Sequence, residues 1–326
     1  MTVMAGKSIL VTGAGGYLGR QLVAALAARL AAGDISTVVA ADVRETPQSQ
    51  RLEGVIYLTH DIRDAGLDAV LRCRGVDTVV HLASIVTPGK KSDRAFEYSV
   101  DVDGTRKVLD ACVAAGVHHI IISSSGAAYG YHADNPAWLN ESHPVRGNEE
   151  FAYSWHKRLV EEILAGYRKR HPELAQTIFR IGTILGDSVN NQITALFEKP
   201  RLLGIRGSDS PFVFIWDQDV VGAILLAISS GRAGIYNLAG DGALSIHALG
   251  KRLGKPVLAL PAWLIAAALA VLKKLGLTQY GPEQVNFLRY RPVLDNRRLK
   301  EELGYIPAKT SEQVFDYWLQ AKANKG

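Results

Sequence analysis

Two short stretches of the chain carry side chains that could move a proton. Tyr153-Ser-Trp-His-Lys157 places a phenol and an ammonium four positions apart, and Ser123-Ser124-Ser125 supplies hydroxyls upstream of them. On a helix, residues four apart share a face, so the Lys157 ammonium would stand beside the Tyr153 hydroxyl and favour its ionised form. A phenol near its ordinary pKa of about 10 is a poor base at neutral pH, whereas one lowered by a neighbouring cation exchanges a proton with an alcohol or carbonyl. Ser125 would hold the reacting oxygen, with Ser123 or Ser124 able to take its place or merely to end a strand. The spacing by itself is not selective. Tyr305-Ile-Pro-Ala-Lys309 repeats it, and there Pro307 prevents a shared helix face.

Another stretch has the residue types of a phosphate cradle. Gly13-Ala-Gly-Gly16-Tyr17-Leu18-Gly19 follows the apolar run Ser8–Thr12 and leads into an Ala- and Leu-rich helical pattern over Tyr17–Ala32 that stops at Gly33. Glycines at a strand-to-helix turn let the backbone approach a pyrophosphate, whose charge the free N–H groups and dipole of the helix N-terminus stabilise. Leu18 sits where the Gly-x-Gly-x-x-Gly form has its third glycine, so the spacing is Gly13, Gly16, Gly19. Asp42 falls 23 positions past Gly19, at the end of the second strand. A carboxylate there accepts hydrogen bonds from an adenosine ribose and repels the additional phosphate of NADP. Arg44 is close enough to accommodate that phosphate, and the balance predicts NAD in preference to NADP.

These residues need a frame. From Lys7 to about Arg180 short β-branched runs alternate with longer helical patterns, the signature of βαβ units and a parallel sheet. Strands are predicted at Ser8–Thr12, Thr37–Ala41, Val55–Leu58, Thr78–Leu82, His119–Ser123 and Thr177–Ile181. Helices are predicted at Tyr17–Ala32, at Ser92–Ala115 before Gly116, and from about Glu149 through Lys157. The expected fold is α/β: a Rossmann-type doubly wound parallel sheet over residues 1–180, then a smaller mixed α/β substrate lobe over 181–326 whose strands or helices return to the first. In that second part, strand signals are confined to Phe212–Trp216 and Gly234–Leu238.

Composition narrows the function classes. The 326 residues are 48% hydrophobic and 21% charged, as in ordinary globular proteins. The net charge of +5 comes from scattered basic residues with short clusters such as Arg168-Lys169-Arg170 and Lys273-Lys274, which argues against nucleic acid. Cys73 and Cys112 are the only cysteines, too few for a disulfide framework or a metal site, and fit a reducing cytoplasm. The glycine loop begins within a dozen or so residues of the first position, from which no secretion signal is expected ahead of it. The longest apolar run, Val257 to Leu272, is 16 residues and contains Pro261, short of the roughly 20 needed to span a bilayer. A core helix is the favoured reading of that run. An apolar lid over a lipid-like alcohol, or a segment giving weak membrane-surface association, is the other.

Taken in order, the motifs resemble the NAD-dependent epimerase/dehydratase branch of the extended short-chain dehydrogenases/reductases over the whole chain. His81-Leu82-Ala83-Ser84 resembles the family's segment on the nicotinamide side, and Asp61-Ile62 falls where its members cradle adenine. Ile215-Trp-Asp-Gln-Asp-Val220 and Ile235-Tyr-Asn-Leu-Ala-Gly240 resemble two further family segments. The resemblance implies NAD in the N-terminal lobe, a small-molecule substrate in the C-terminal lobe, and a homodimer paired through helices Ser92–Ala115 and Glu149–Arg170. It also implies hydride transfer between nicotinamide and a secondary alcohol or ketone, with Tyr153, Lys157 and Ser125 in the catalytic roles. A nucleotide-sugar 4-epimerase or dehydratase that retains its NAD is an alternative, and a non-catalytic NAD(H)-binding regulator another.

Departures from the family pattern bear on substrate. Asp101-Val-Asp-Gly104-Thr105 stands where the family has Asn-x-x-Gly-Thr, so an amide with two donors is replaced by a carboxylate. Thr183 stands where sugar-nucleotide enzymes often direct an asparagine at a diphosphate, which tilts the expectation toward an apolar alcohol or ketone. Arg201, Arg206, Arg289 and Arg291 keep an anionic substrate open.

Overall fold

Strands buried on both faces read as unbroken apolar runs, and Ser8–Thr12 is buried at every position. It is the interior strand β1 of the computed structural model, which describes residues 6–86, 93–189, 191–278 and 281–324. Helix α1 (Tyr17–Ala31) follows, then β2 (Thr37–Asp42), β3 (Ile56–Thr59), α2 (Leu67–Cys73) and β4 (Thr78–His81). Next come α3 (Arg94–Tyr98), α4 (Thr105–Ala115), β5 (His119–Ser125), α5 (Ala152–Arg170) and β6 (Ala175–Ile181). The second part begins with β7 (Thr183–Leu185), α6 (Gln192–Phe197), β8 (Leu202–Ile205), β9 (Phe214–Trp216), α7 (Asp217–Ser230) and β10 (Gly234–Leu238). It ends with α8 (Ile246–Leu253), β11 (Val257–Leu260), α9 (Ala262–Lys274), α10 (Gln284–Arg289) and α11 (Ser311–Ala323).

Seven strands form one parallel sheet in the order β10-β6-β5-β4-β1-β2-β3, a Rossmann-type α/β fold. Alternate residues of a strand face opposite sides. Ile9 and Val11 therefore join one apolar layer, with Leu22 and Leu26 of α1 and Ile224 of α7. Leu10 joins the other, with Leu71 of α2, Leu109 of α4 and Leu164 of α5. The seventh strand, β10, arrives from beyond residue 230 and pairs with β6. The smaller lobe rests on two parallel strand pairs, β7 with β9 and β8 with β11. An aromatic cluster fills it, with Phe197 ring centroids 5.5 Å from Phe315 and 5.7 Å from Trp318.

Boundaries move by a few residues from those the sequence predicts. β5 runs on to Ser125, and α5 starts at Ala152 rather than near Glu149. The start of the Ser92–Ala115 helix, Ser92, lies outside the described residues. Asp93 caps α3 by accepting from the backbone N–H groups of Ala95 and Phe96, and a widened turn over Ser99–Gly104 carries the helix into α4. Gly104 in that turn lies against Ile62, where a Cβ would come within 2.6 Å of the isoleucine.

Val257–Leu272 is not a core helix. Its first four residues form β11, Pro261 occupies the N-cap, and in the α9 that follows only Ile265 is buried. The β8–β11 ribbon is covered outside by one layer of helix, and among the described residues nothing beyond it buries the far side of α9. No helix among the described residues is long and apolar enough to cross a membrane.

Two histidines are enclosed in this frame. His81 lies between the hydroxyls of Thr12 (2.7 Å) and Thr105 (3.0 Å), and burial lowers its pKa to about 3. His119 contacts the Thr177 hydroxyl at 2.8 Å, and burial lowers its pKa to about 4. Both are neutral when folded, whereas an unfolded histidine takes up a proton below about 6.5. The unfolded state then binds more protons, so stability present above pH 6.5 is lost as pH falls toward 4. The urea midpoint should decline steadily over that interval, and a flat profile would contradict neutral burial of the two rings.

Candidate active site

The turn after β1 brings backbone close to backbone. A Cβ at Gly13 would lie 2.6 Å from the amide nitrogen of Ala83, and one at Gly19 2.1 Å from the Gly13 carbonyl oxygen. Glycine at these positions lets α1 start directly over the ends of β1 and β4. Gly16 occupies the N-cap of α1 without a side-chain hydrogen bond to the first turn, which leaves those N–H groups available to an anion. Asp42, buried at the end of β2, accepts from the Gly15 N–H at 2.9 Å and from the Arg44 N–H at 3.0 Å. Arg44 folds back on it, its Nε 3.4 Å from Asp42 and its guanidinium bonded to the Gly15 carbonyl. An uncapped helix N-terminus, a close glycine turn and a carboxylate at the end of the next strand fit a dinucleotide without an additional ribose phosphate.

Asp42→Ser should therefore raise kcat/KM with NADP relative to NAD by roughly tenfold or more, since a charge-assisted hydrogen bond contributes about 1.5–3 kcal/mol. Paired steady-state rates with the two nucleotides measure it, and an unchanged ratio would remove Asp42 from cofactor selection.

Tyr17 and Leu18 line the cleft beside this turn. The Tyr17 hydroxyl donates to Asp217 at 2.5 Å, and Gln21 donates to the same carboxylate at 3.1 Å. Asp219, two residues on, accepts from the Tyr305 hydroxyl (2.9 Å) and the Ala308 N–H (2.8 Å). The Trp-Asp-Gln-Asp segment thus ties α1 and the C-terminal segment to α7. Asp61 forms a turn with Arg63, whose guanidinium holds the carboxyl below its ordinary pKa, and Ile62 packs into the core. Neither is among the residues lining the cleft.

The cleft has a volume of about 530 Å³, within the usual range for small-molecule sites. It runs from Gly13 and Gly16 past Leu82 and Ser84 to Ser125, Tyr153 and Lys157. Tyr153 and Lys157 stand on the first turns of α5, one helical turn apart. The Lys157 ammonium is 5.5 Å from the centre of the Tyr153 ring and donates to the Ser123 carbonyl at 3.0 Å. The three serines differ. Ser123 contributes its carbonyl to Lys157, Ser124 donates to the buried Glu161 at 2.6 Å, and the Ser125 hydroxyl faces the Tyr153 phenol and favours its ionised form.

The expected lowering of the Tyr153 pKa by Lys157 does not appear. Burial raises the phenol to about 12, the Ser125 hydroxyl opposing it and the Asp101 charge adding to it. Burial lowers the pKa of Lys157 itself, against the charges of Asp101 and Glu161.

Asp101, where the family pattern has an asparagine, serves as an acceptor. It accepts from the Ser84 hydroxyl and the Ile85 N–H, both at 2.9 Å, and from His156 Nδ1 at 3.2 Å. Burial opposes its charge, yet His156, Lys157 and these donors hold its pKa below the ordinary value. Three donors converge, so an acceptor-only group serves here.

Several site features escape sequence reasoning. Beneath β5 lies a buried network in which Arg180 grips Glu161 with Nε at 2.9 Å and Nη2 at 2.5 Å, and reaches the Tyr129 hydroxyl at 2.9 Å. Tyr129 donates to Asn237 of β10, whose amide donates to the carbonyls of Leu139 (2.7 Å) and Asp295 (3.0 Å). The signal was Glu161, a charge four residues past Lys157 on the inward face of α5. At the far end, Arg291, one of the four arginines that the sequence holds open to an anionic substrate, lines the cleft with its guanidinium 4.0 Å from the Phe212 ring centre and 4.6 Å from that of Phe287. Its Nε is buried without a partner, and burial lowers its pKa to about 10. Arg201 and Arg206 are exposed.

A family model described as the NAD dependent epimerase/dehydratase family matches residues 9–239. An uncharacterized protein of Mycobacterium tuberculosis (strain ATCC 25618 / H37Rv) is 27% identical over 319 residues, covering 97% of this chain and 84% of that one. A 3 beta-hydroxysteroid dehydrogenase/Delta 5-->4-isomerase of Vaccinia virus (strain Copenhagen) is 30% identical over 159 residues, 47% of this chain and 44% of its own. The structure of UDP-glucose 4-epimerase of Thermus thermophilus, solved in complex with NAD, superposes with a TM-score of 0.72 at 21% identity. It covers 98% of this chain and all of that one, a likeness of fold.

Proposed function

The chain belongs to the NAD-dependent epimerase/dehydratase family, and from that premise we propose that it oxidises a secondary alcohol, or reduces the matching ketone, carried on a largely apolar molecule. As a member it is an NAD-dependent enzyme of the short-chain dehydrogenase/reductase type. The bound nicotinamide supplies or accepts the hydride. Tyr153 exchanges the proton with the substrate oxygen, Ser125 orients that oxygen, and Lys157, held by the Ser123 carbonyl, places positive charge beside the phenol.

The lining of the substrate end carries this reading. Beyond Tyr153 the cleft is walled by Ile184, Val189, Ile193, Phe212 and Phe287. Among its described lining residues the only cations are Lys157 and Arg291. A site so apolar favours a hydrocarbon body, and the unpartnered Nε of Arg291 favours one anionic or strongly accepting group at its far end. The steroid dehydrogenase likeness runs in the same direction. Arg291 also supports a second reading, a nucleotide-sugar 4-epimerase or dehydratase that keeps its NAD, for which the UDP-glucose 4-epimerase likeness speaks.

The nucleotide released from purified protein and a substrate screen decide between them. Reversible NADH binding with turnover of apolar ketones is the expected result. Tightly retained NAD with turnover of UDP-sugars and none of apolar ketones would replace the first reading by the second. We place the protein in the cytoplasm as a homodimer paired through α4 and α5. The free thiols of Cys73 and Cys112 are in keeping with the first, and sedimentation velocity tests the second.

A further inference from the structure

Helix α9 has no charged residue from Ala262 to Leu272, yet the described residues cover only one of its faces. Ala262, Ile265, Ala266 and Leu269, spaced as one helical stripe, pack with Ile205, Leu260, Val285 and Leu288. Trp263, Leu264, Val271 and Leu272, continued by Leu275 and Leu277, are exposed, with Trp263 and Leu277 each at 71%. A helix apolar all round is one that expects burial on every side.

The uncovered surface extends past the helix. β8 and β11 pair with Leu203 opposite Leu258, and both leucines are exposed. Alternate strand residues share a face. Leu203 and Leu258 therefore lie on the same side of the ribbon as Ile205 and Leu260, against which α9 packs. Helix stripe and ribbon face are neighbouring parts of one apolar surface.

Charge around it is one-sided. Segments 198–206 and 251–277 contain eight lysines and arginines and a single acidic residue, Glu198, which is paired with Lys322. Arg252 is matched by Glu312 and Asp316, and Lys273 by Glu283. Lys199, Arg201, Arg206 and Lys274 are exposed and enter no ion pair with a described residue. An apolar stripe with a tryptophan near one end, lysines at the other and unmatched cations around it has the chemistry of a helix lying in a membrane interface.

We propose that this face docks the protein on an anionic membrane surface. The α9 stripe enters the headgroup–acyl boundary, with Leu203 and Leu258 beside it, and Lys199, Arg201, Arg206 and Lys274 meet lipid phosphates. Helix α10 packs against α9 and contributes Phe287 to the cleft wall, so the docked face adjoins the substrate end of the site. The inference stands apart from the catalytic reading, because binding is measured with neither substrate nor turnover.

Co-sedimentation of the full chain with vesicles of phosphatidylcholine and phosphatidylglycerol, against phosphatidylcholine alone, tests it. Binding to the anionic vesicles, weakened by salt, is expected. Val271→Glu combined with Leu275→Glu, at exposed positions, should cut the affinity by about tenfold or more with the circular dichroism spectrum and melting temperature unchanged. Lys274→Glu with Arg201→Glu should weaken binding to the anionic vesicles alone. Absence of binding, equal binding to both vesicles, or a solution dimer that the Val271/Leu275 double variant dissociates would overturn the proposal, the last by giving the face to a second copy of the chain.

Discussion

Tyr153→Phe is expected to lower turnover by roughly 10²–10⁴-fold, the usual contribution of a positioned acid or base, while NAD affinity stays where it was. The substitution removes one oxygen and keeps the ring. Lys157 is anchored independently by the Ser123 carbonyl, and the glycine turn lies at the other end of the cleft, so a dinucleotide held there would keep its contacts. Steady-state rates beside a fluorescence titration with NADH separate the two effects. Full activity in the variant would assign the proton to another group, and equal loss of binding and turnover would mean that the phenol holds the cofactor rather than the substrate. A pH profile adds a sign. Burial raises the Tyr153 pKa to about 12, so the phenol is protonated in the neutral range and its base form grows tenfold per pH unit. Alcohol oxidation, which needs the base, should rise with pH through that range, whereas ketone reduction, which needs the acid, should not.

The second large effect is on stability. Glu161→Ala should cost about 3–5 kcal/mol, because it leaves the Arg180 guanidinium buried without its carboxylate partner. The loss is not confined to one bond: the same carboxylate accepts from Ser124 in β5, and Arg180 also holds Tyr129. Replacing Glu161 and Arg180 together by methionine should recover much of the loss, since both charges then disappear from the interior. Urea midpoints of the three proteins measure this. A single variant within about 0.5 kcal/mol of the parent, the range of an ordinary surface change, would mean that water reaches the pair.

The parallel sheet was legible because buried strands and amphipathic helices have distinct periods, and the glycine turn because only glycine suits such close approach of backbones. The helical placement of Tyr153 and Lys157 followed from spacing, but the electrostatics of the phenol did not. Spacing locates an ammonium on a face and says nothing of how deeply the phenol is buried, which is what raises its pKa. The sequence could not single out Arg291 from Arg201, Arg206 and Arg289, because the rings that flank it come from Phe212, far away, as well as from nearby Phe287. The run from Val257 was misjudged for a related reason. Composition records that a helix is apolar, while the number of layers outside it belongs to the tertiary fold.

The return of β10 to the sheet bears on the order in which the molecule is made. A ribosome releases β6 well before β10, with the whole of β7 to α7 between them. Until Gly234–Leu238 emerges, the nascent sheet has six strands and β6 presents an open edge. Over the same interval Tyr129 lacks the side chain of Asn237, and the loop at Leu139 lacks its tether to that amide. A nascent chain arrested before Gly234 should accordingly be protease-sensitive around Leu139, and one arrested after the C-terminal segment has left the tunnel should be resistant there. Translation thus completes the seven-stranded sheet only after much of the smaller lobe has been synthesised.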